Sequence, residues 1–138
     1  MADIPHKVAS RPLSPFLTIF HWPITMATSI VHRMTGVALV GGTIVVAWWL
    51  IATATGPDAF DFFNRMVATP IGQIILFGFV WSLAYHLVNG IRHLSWDFGY
   101  GFEVPTANRT GILVFVLSLI LAGGAFALAW LGQGGYYQ

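Results

Sequence analysis

Residues 71–91 read IGQIILFGFVWSLAYHLVNGI, a run with no charged side chain and a single histidine, His86, toward its end. At about 1.5 Å per residue a helix of this length covers the roughly 30 Å hydrocarbon core of a bilayer. Lipid offers no partner to backbone N–H and C=O groups, so a lone spanning segment must be a helix and not a strand. Two further stretches of the same kind lie outward from it. Residues 29–53 are uncharged once His32 and Arg33 are passed, and residues 110–131 follow Arg109 without another charge. The expectation is an all-α fold: an integral membrane, three-helix transmembrane bundle. It forms one domain over residues 1–138, with an irregular N-terminal arm over 1–27 and helices over about 28–53, 71–92 and 109–131.

Composition agrees. The chain has 138 residues, 57% hydrophobic and 8% charged, with a mean hydropathy of +0.74. Soluble domains carry about 25% charged residues, and so short a soluble chain has too little shell to cover this much apolar surface. A net charge of +1 gives no reason to expect nucleic acid. Cysteine is absent, which excludes disulfides and an iron–sulfur cluster held by this chain. The opening MADIPHKVASRPLSP lacks the apolar core and cleavage site of a secretory signal. It is also poor in arginine for a mitochondrial presequence. A bacterial inner (cytoplasmic) membrane is therefore expected ahead of a mitochondrial one.

Cations set the orientation. Lys7, Arg11 and Arg33 precede or open the first span, Arg92 and Arg109 flank the second loop, and only Arg65 lies on the opposite side. That asymmetry places the N-terminus in the cytoplasm. Trp48, Trp49 and Trp130 near the outer helix ends suit an interfacial aromatic belt, whereas Trp81 falls mid-span. Residues 12–28, PLSPFLTIFHWPITMAT, are apolar but interrupted by Pro12, Pro15 and Pro23. A continuous helix is blocked there, so an arm along the membrane surface or against a partner is expected.

Two clusters carry the chemistry. An ionisable side chain as deep in a span as His86 is a functional candidate, and neutral imidazole ligates haem iron well. On composition alone, the commoner reading is a histidine hydrogen-bonded to a neighbouring helix. No second histidine lies within a span, so a haem with two histidine ligands would take the other from another chain. Gly90, one turn after His86, leaves room for a flat macrocycle or a close partner helix. His93 is placed near the membrane edge, and Arg92 with Asp97 reads as an anchor cluster or an exposed ion pair, worth little. In the second cluster, SIVHRMTG over 29–36, Ser29, His32 and Arg33 share a broad helix face. A hydroxyl, an imidazole and a guanidinium there suit carbonyl or carboxylate oxygens. Thr35 and Gly36 read as helix-packing residues.

These clusters, in this order, resemble the paired signatures of the succinate dehydrogenase cytochrome b family, the larger membrane-anchor subunit of respiratory complex II. The first is Arg11-Pro12-Leu13, then Leu17, Ile24, Ser29 and His32-Arg33 with Thr35. The second is His86, Gly90-Ile91-Arg92-His93-Leu94 and Trp96-Asp97. The resemblance covers most of the chain and implies specific roles. His86 matches the axial ligand of haem b iron, the metal site. Ser29 and Arg33 match quinone-pocket residues on the cytoplasmic side. His32 matches a contact to haem propionates, shared by Arg33, and His93 matches a residue supporting haem or lipid. Phe16 departs from the pattern, where many relatives have histidine, so the arm is assigned no direct chemistry.

The implied function is to anchor a succinate:quinone oxidoreductase and carry electrons from succinate to quinone in the tricarboxylic acid cycle and respiratory chain. The chain itself is not catalytic toward succinate. Implied partners are a flavoprotein subunit, an iron–sulfur subunit, a second and smaller membrane anchor that shares the haem, quinone and membrane lipid. Two alternatives are a haem-free anchor of a quinol:fumarate reductase and a small channel or transporter titrating at His86. The dry run IILFGFVW outward of His86 argues against the channel.

Overall fold

The computed structural model describes residues 14–19 and 21–134. His6, Lys7, Arg11, Pro12, Leu13 and the end of the glycine–tyrosine tail lie outside the described residues. Five helices follow in order: α1 (Phe16–Ile19), α2 (Ile24–Thr55), α3 (Pro57–Ala68), α4 (Pro70–Asp97) and α5 (Val104–Gly134). Among the described residues there is no strand. Helices α2, α4 and α5 are the three long apolar ones. They run alternately up and down, with α4 packed on both others and α2 touching α5 as well. At about 1.5 Å per residue they are roughly 40–50 Å long, so each extends past the hydrocarbon core or tilts within it.

The bundle is turned inside out relative to a soluble protein. The buried face of α2 includes Thr28, Thr35 and Gly42, each one heptad from the next, and Ala52. That of α4 includes Ser82, Tyr85, Asn89 and Arg92, spaced three, four and three. On α5 it includes Ala107, Val114, Ser118 and Ala122. Large aliphatic side chains such as Val37, Ile44, Ile74 and Leu131 point outward instead. Lipid is as apolar as leucine, so association of the spans rests on close packing of small residues and on interhelical hydrogen bonds. Gly42 shows the first: a Cβ there would overlap the ring of Phe79 on α4, so the two helices meet ring against backbone.

The connection between the first two spans is itself helical. Gly56, at φ 134°, takes the chain from α2 directly into α3, with Pro57 in its first turn. α3 is amphipathic, with Asp58 in its first turn and Arg65 in its last, both complementing the helix dipole. Its Phe63 is buried edge-on against Trp48, 4.9 Å between centroids. That contact gives Trp48 a packing partner in addition to its exposed surface. Among the described residues of the expected arm, Phe16–Ile19 form the single turn α1, and α2 already begins at Ile24, before the expected arm ends at 27. Phe16, Ile19 and Trp22 are exposed, consistent with a segment resting on lipid or on another chain.

Candidate functional site

Three histidines from two helices meet at the end of the bundle where α2 begins and α4 finishes. His32 of α2 stacks on His86 of α4, with centroids 3.9 Å apart and planes 11° from parallel. His93, two turns beyond His86, tilts against the other side of this group, 5.3 Å from His32, and makes an edge contact with Trp96 at 5.0 Å. His93 is thus packed into the cluster rather than standing alone at the membrane edge.

Thr35 decides how the His86 ring is used. Its hydroxyl donates to the carbonyl of His32 at 2.9 Å, and its Oγ1 lies 3.3 Å from His86 Nδ1. A hydroxyl has one hydrogen to give. With that hydrogen committed to the carbonyl, the second bond requires Nδ1–H of His86 to donate to Thr35. Nε2 is then the nitrogen with the free lone pair, the form that ligates a metal. That lone pair lies in the ring plane, and the His32 stack covers only the ring face. Gly36 lets the ring sit this close to α2, since a Cβ there would come within 3.3 Å of His86 Cε1. Gly90 has nothing within 4 Å of a Cβ position, so the surface one turn beyond His86 is open. The Nδ1 of His32 is buried without a hydrogen-bond partner. A fixed tautomer, an open face and an unused buried nitrogen make this donor set fit a b-type haem.

Ser29 is half-buried and Arg33 exposed, both one turn or less from His32. No hydrogen bond or ion pair to another described residue holds either side chain, so both are available to a ligand.

Arg92 differs from its expected role as an anchor. α4 continues to Asp97, so Arg92 is not at the helix end, and the residue is only 7% exposed. Its Nε donates to Thr110 Oγ1 (3.0 Å) and its Nη2 to the Ala107 carbonyl (2.9 Å), both on α5. Its Nη1 donates to Thr28 Oγ1 on α2 (3.3 Å) and to Asn89 Oδ1 (3.4 Å). The guanidinium lies 4.1 Å from the ring centroid of Trp96. Asp97 is exposed and is not among these partners, so the expected ion pair does not form. A buried cation is held by neutral acceptors and an aromatic face, and this ties all three spans together. Tyr85, fully buried, adds a hydroxyl bond to the Thr28 carbonyl at 3.1 Å.

Sequence reasoning left Tyr85, Asn89, Thr28 and Thr110 unassigned. A signal was available. Ser82, Tyr85, Asn89, Arg92 and Trp96 recur at alternating steps of three and four, a polar stripe along an otherwise apolar span. Cavity size points elsewhere. A cleft of about 730 Å³ between α2, α3 and α4 is lined by apolar residues and glycines with Thr69 and Ser82, and no titratable group is on its wall.

Comparison with known proteins places the chain. The family described as succinate dehydrogenase/fumarate reductase transmembrane subunit matches residues 7–125. The succinate dehydrogenase cytochrome b556 subunit of Paracoccus denitrificans is 43% identical over 122 residues, covering 88% of this chain and 92% of the relative. That of Rickettsia prowazekii is 44% identical over 111 residues, covering 80% and 86%. The mitochondrial cytochrome b560 subunit of Sus scrofa is 37% identical over 125 residues, covering 87% and 72%. With its three apolar spans and this likeness along most of its length, the chain is a multi-pass membrane protein that belongs to the succinate dehydrogenase cytochrome b subunit family.

Proposed function

We propose that the chain supplies one axial ligand of a haem b and part of a quinone-reduction site in the membrane anchor of succinate:quinone oxidoreductase. The observation that carries this reading is the Thr35–His86 hydrogen bond, which commits His86 Nδ1 and leaves Nε2 as the ligating atom. His86 would hold the iron, and a second ligand would come from the smaller anchor subunit, because His32 and His93 are packed into one cluster with His86. His32 and Arg33 would hold the propionates, and His93 would support the group. When bound, haem b would supply a one-electron redox centre.

Ser29 and Arg33 act on the quinone itself. The Ser29 hydroxyl donates to one carbonyl and fixes the ring's orientation. The Arg33 guanidinium, always protonated, stabilises the negative charge that builds on the same oxygen as electrons arrive. The remaining pocket wall belongs to the iron–sulfur subunit and the second anchor, and the flavoprotein oxidises succinate. This chain takes part in the tricarboxylic acid cycle and respiratory chain without touching succinate. With Arg92 committed inside the bundle, Lys7, Arg11, Arg33 and Arg109 still outnumber Arg65. The N-terminus therefore lies on the cytoplasmic side. The site then faces the side from which soluble subunits deliver electrons.

Substituting Ser29→Ala or Arg33→Leu is expected to lower quinone reduction by about ten- to a hundredfold, the loss of one or two charge-assisted hydrogen bonds. Succinate oxidation by an artificial dye should fall far less. Steady-state assays of the purified complex with both acceptors check this. Equal loss of the two activities would assign these residues to assembly.

A further inference from the structure

We propose that Tyr85 and Arg92 are positioning residues that hold the first turns of α2, and with them Ser29 and Arg33, in the geometry quinone requires. The inference rests on the reading of Ser29 and Arg33 as quinone ligands. Thr28, immediately before Ser29, is fully buried and gripped at two atoms. Arg92 Nη1 donates to its Oγ1, and the Tyr85 hydroxyl donates to its carbonyl. In an α-helix that carbonyl also accepts from the amide four residues on, which is that of His32. The clamp therefore acts on the same turn that carries Ser29, His32 and Arg33.

This end of α2 needs such a clamp. Pro23 is its N-cap and provides no side-chain cap bond, so the opening turn lacks the local device that usually holds a helix start. The Thr28 methyl side faces Gly111 of α5, where a Cβ would sit 3.4 Å from Thr28 Cγ2, so α5 closes the third side. Tyr85, Asn89, Thr28 and Ser118 are the largest fully buried side chains of the described residues. Three of the four belong to this junction. The most enclosed part of the described residues thus lies directly behind Ser29, and it joins the quinone turn to the residue preceding His86.

The test uses the intact complex in which Tyr85→Phe removes one hydroxyl and leaves the ring. The KM for quinone should rise about three- to tenfold, the effect of losing one buried hydrogen bond. The haem absorbance and dye-linked succinate oxidation should be retained. Thr28→Val, which removes the hydroxyl gripped by Arg92 at nearly constant volume, should move KM in the same direction. Combined with Ser29→Ala, Tyr85→Phe should add less than its separate effect, because both act through one contact. A lower thermal stability of the Tyr85→Phe complex with unchanged quinone KM would reduce the clamp to a purely structural role and overturn the inference. If Ser29→Ala raises KM while Tyr85→Phe and Thr28→Val do not, the clamp alone is refuted. If Ser29→Ala itself leaves KM unchanged, the quinone assignment beneath it is the part that fails.

Discussion

Replacing His86 with alanine should remove the haem b absorbance from the assembled complex, or change it to that of a differently ligated iron. The physical basis is local. Thr35 Oγ1 lies 3.3 Å from His86 Nδ1, and its own hydrogen is already given to the His32 carbonyl. The ring is therefore held in one tautomer with Nε2 free, and it is seated against Gly36, where no side chain displaces it. His32 is carried by α2 and His93 lies two turns further along α4, so neither stands at the position His86 occupies. The check is a reduced-minus-oxidised visible spectrum of the variant complex, normalised to its flavin. A spectrum unchanged from that of the unsubstituted complex would move the ligand to another residue. Because the substitution also removes a ring from the α2–α4 contact, flavin content in the membrane fraction serves as the measure of assembly.

Arg92→Met carries the largest expected cost in stability. Met fills much of the volume but leaves Asn89 Oδ1 without the guanidinium it now bonds, while the Ala107 carbonyl keeps the Thr110 hydroxyl. The hydroxyls of Thr28 and Thr110 suffer less, since each already donates to a carbonyl of its own helix. The Trp96 ring loses its cation as well. Interhelical hydrogen bonds in membranes are individually modest, and unsatisfied buried acceptors cost about 1–3 kcal/mol each. The net expectation is a loss of roughly 2–4 kcal/mol, the scale seen when a buried polar network is broken. Thermal inactivation of the detergent-solubilised complex reads it. Arg109→Leu is the control: Arg109 is exposed and bonded to no described residue, so its replacement should change stability by less than about 0.5 kcal/mol. Equal stability of the two variants would mean that Arg92 is solvated as the other cations are.

The spans were legible in the sequence because lipid imposes one rule on every residue of a segment: apolar side chains and a self-satisfied backbone. Their ends were not, since residues such as Arg92 and Asp97 remain helical beyond the apolar run. α3 was missed for a related reason. Its residues mix Asp58, Asp61 and Arg65 with three phenylalanines, and the helix is held by packing of Phe63 on Trp48, which no local pattern reveals. At the site, the chemical identities of Ser29, His32, Arg33, His86 and His93 were readable one by one. What placed His32 on His86, 54 positions apart in the chain, was the heptad of small and polar residues that brings α2 against α4. Thr35 and Gly36 read as packing residues, and they are, but what they pack against is the His86 ring. Arg92 misled because a cation near the edge of an apolar run ordinarily marks the interface. Its buried state depends on acceptors from α2 and α5 that only tertiary structure brings to it.

The most direct test of the account is the visible spectrum of the purified complex together with its subunit composition. The account predicts a b-type haem band that co-purifies with this chain, a second membrane anchor, an iron–sulfur protein and a flavoprotein. Quinone reduction by a complex of that composition without any haem b band would contradict it, and would place this chain among haem-free anchors of the fumarate reductase type.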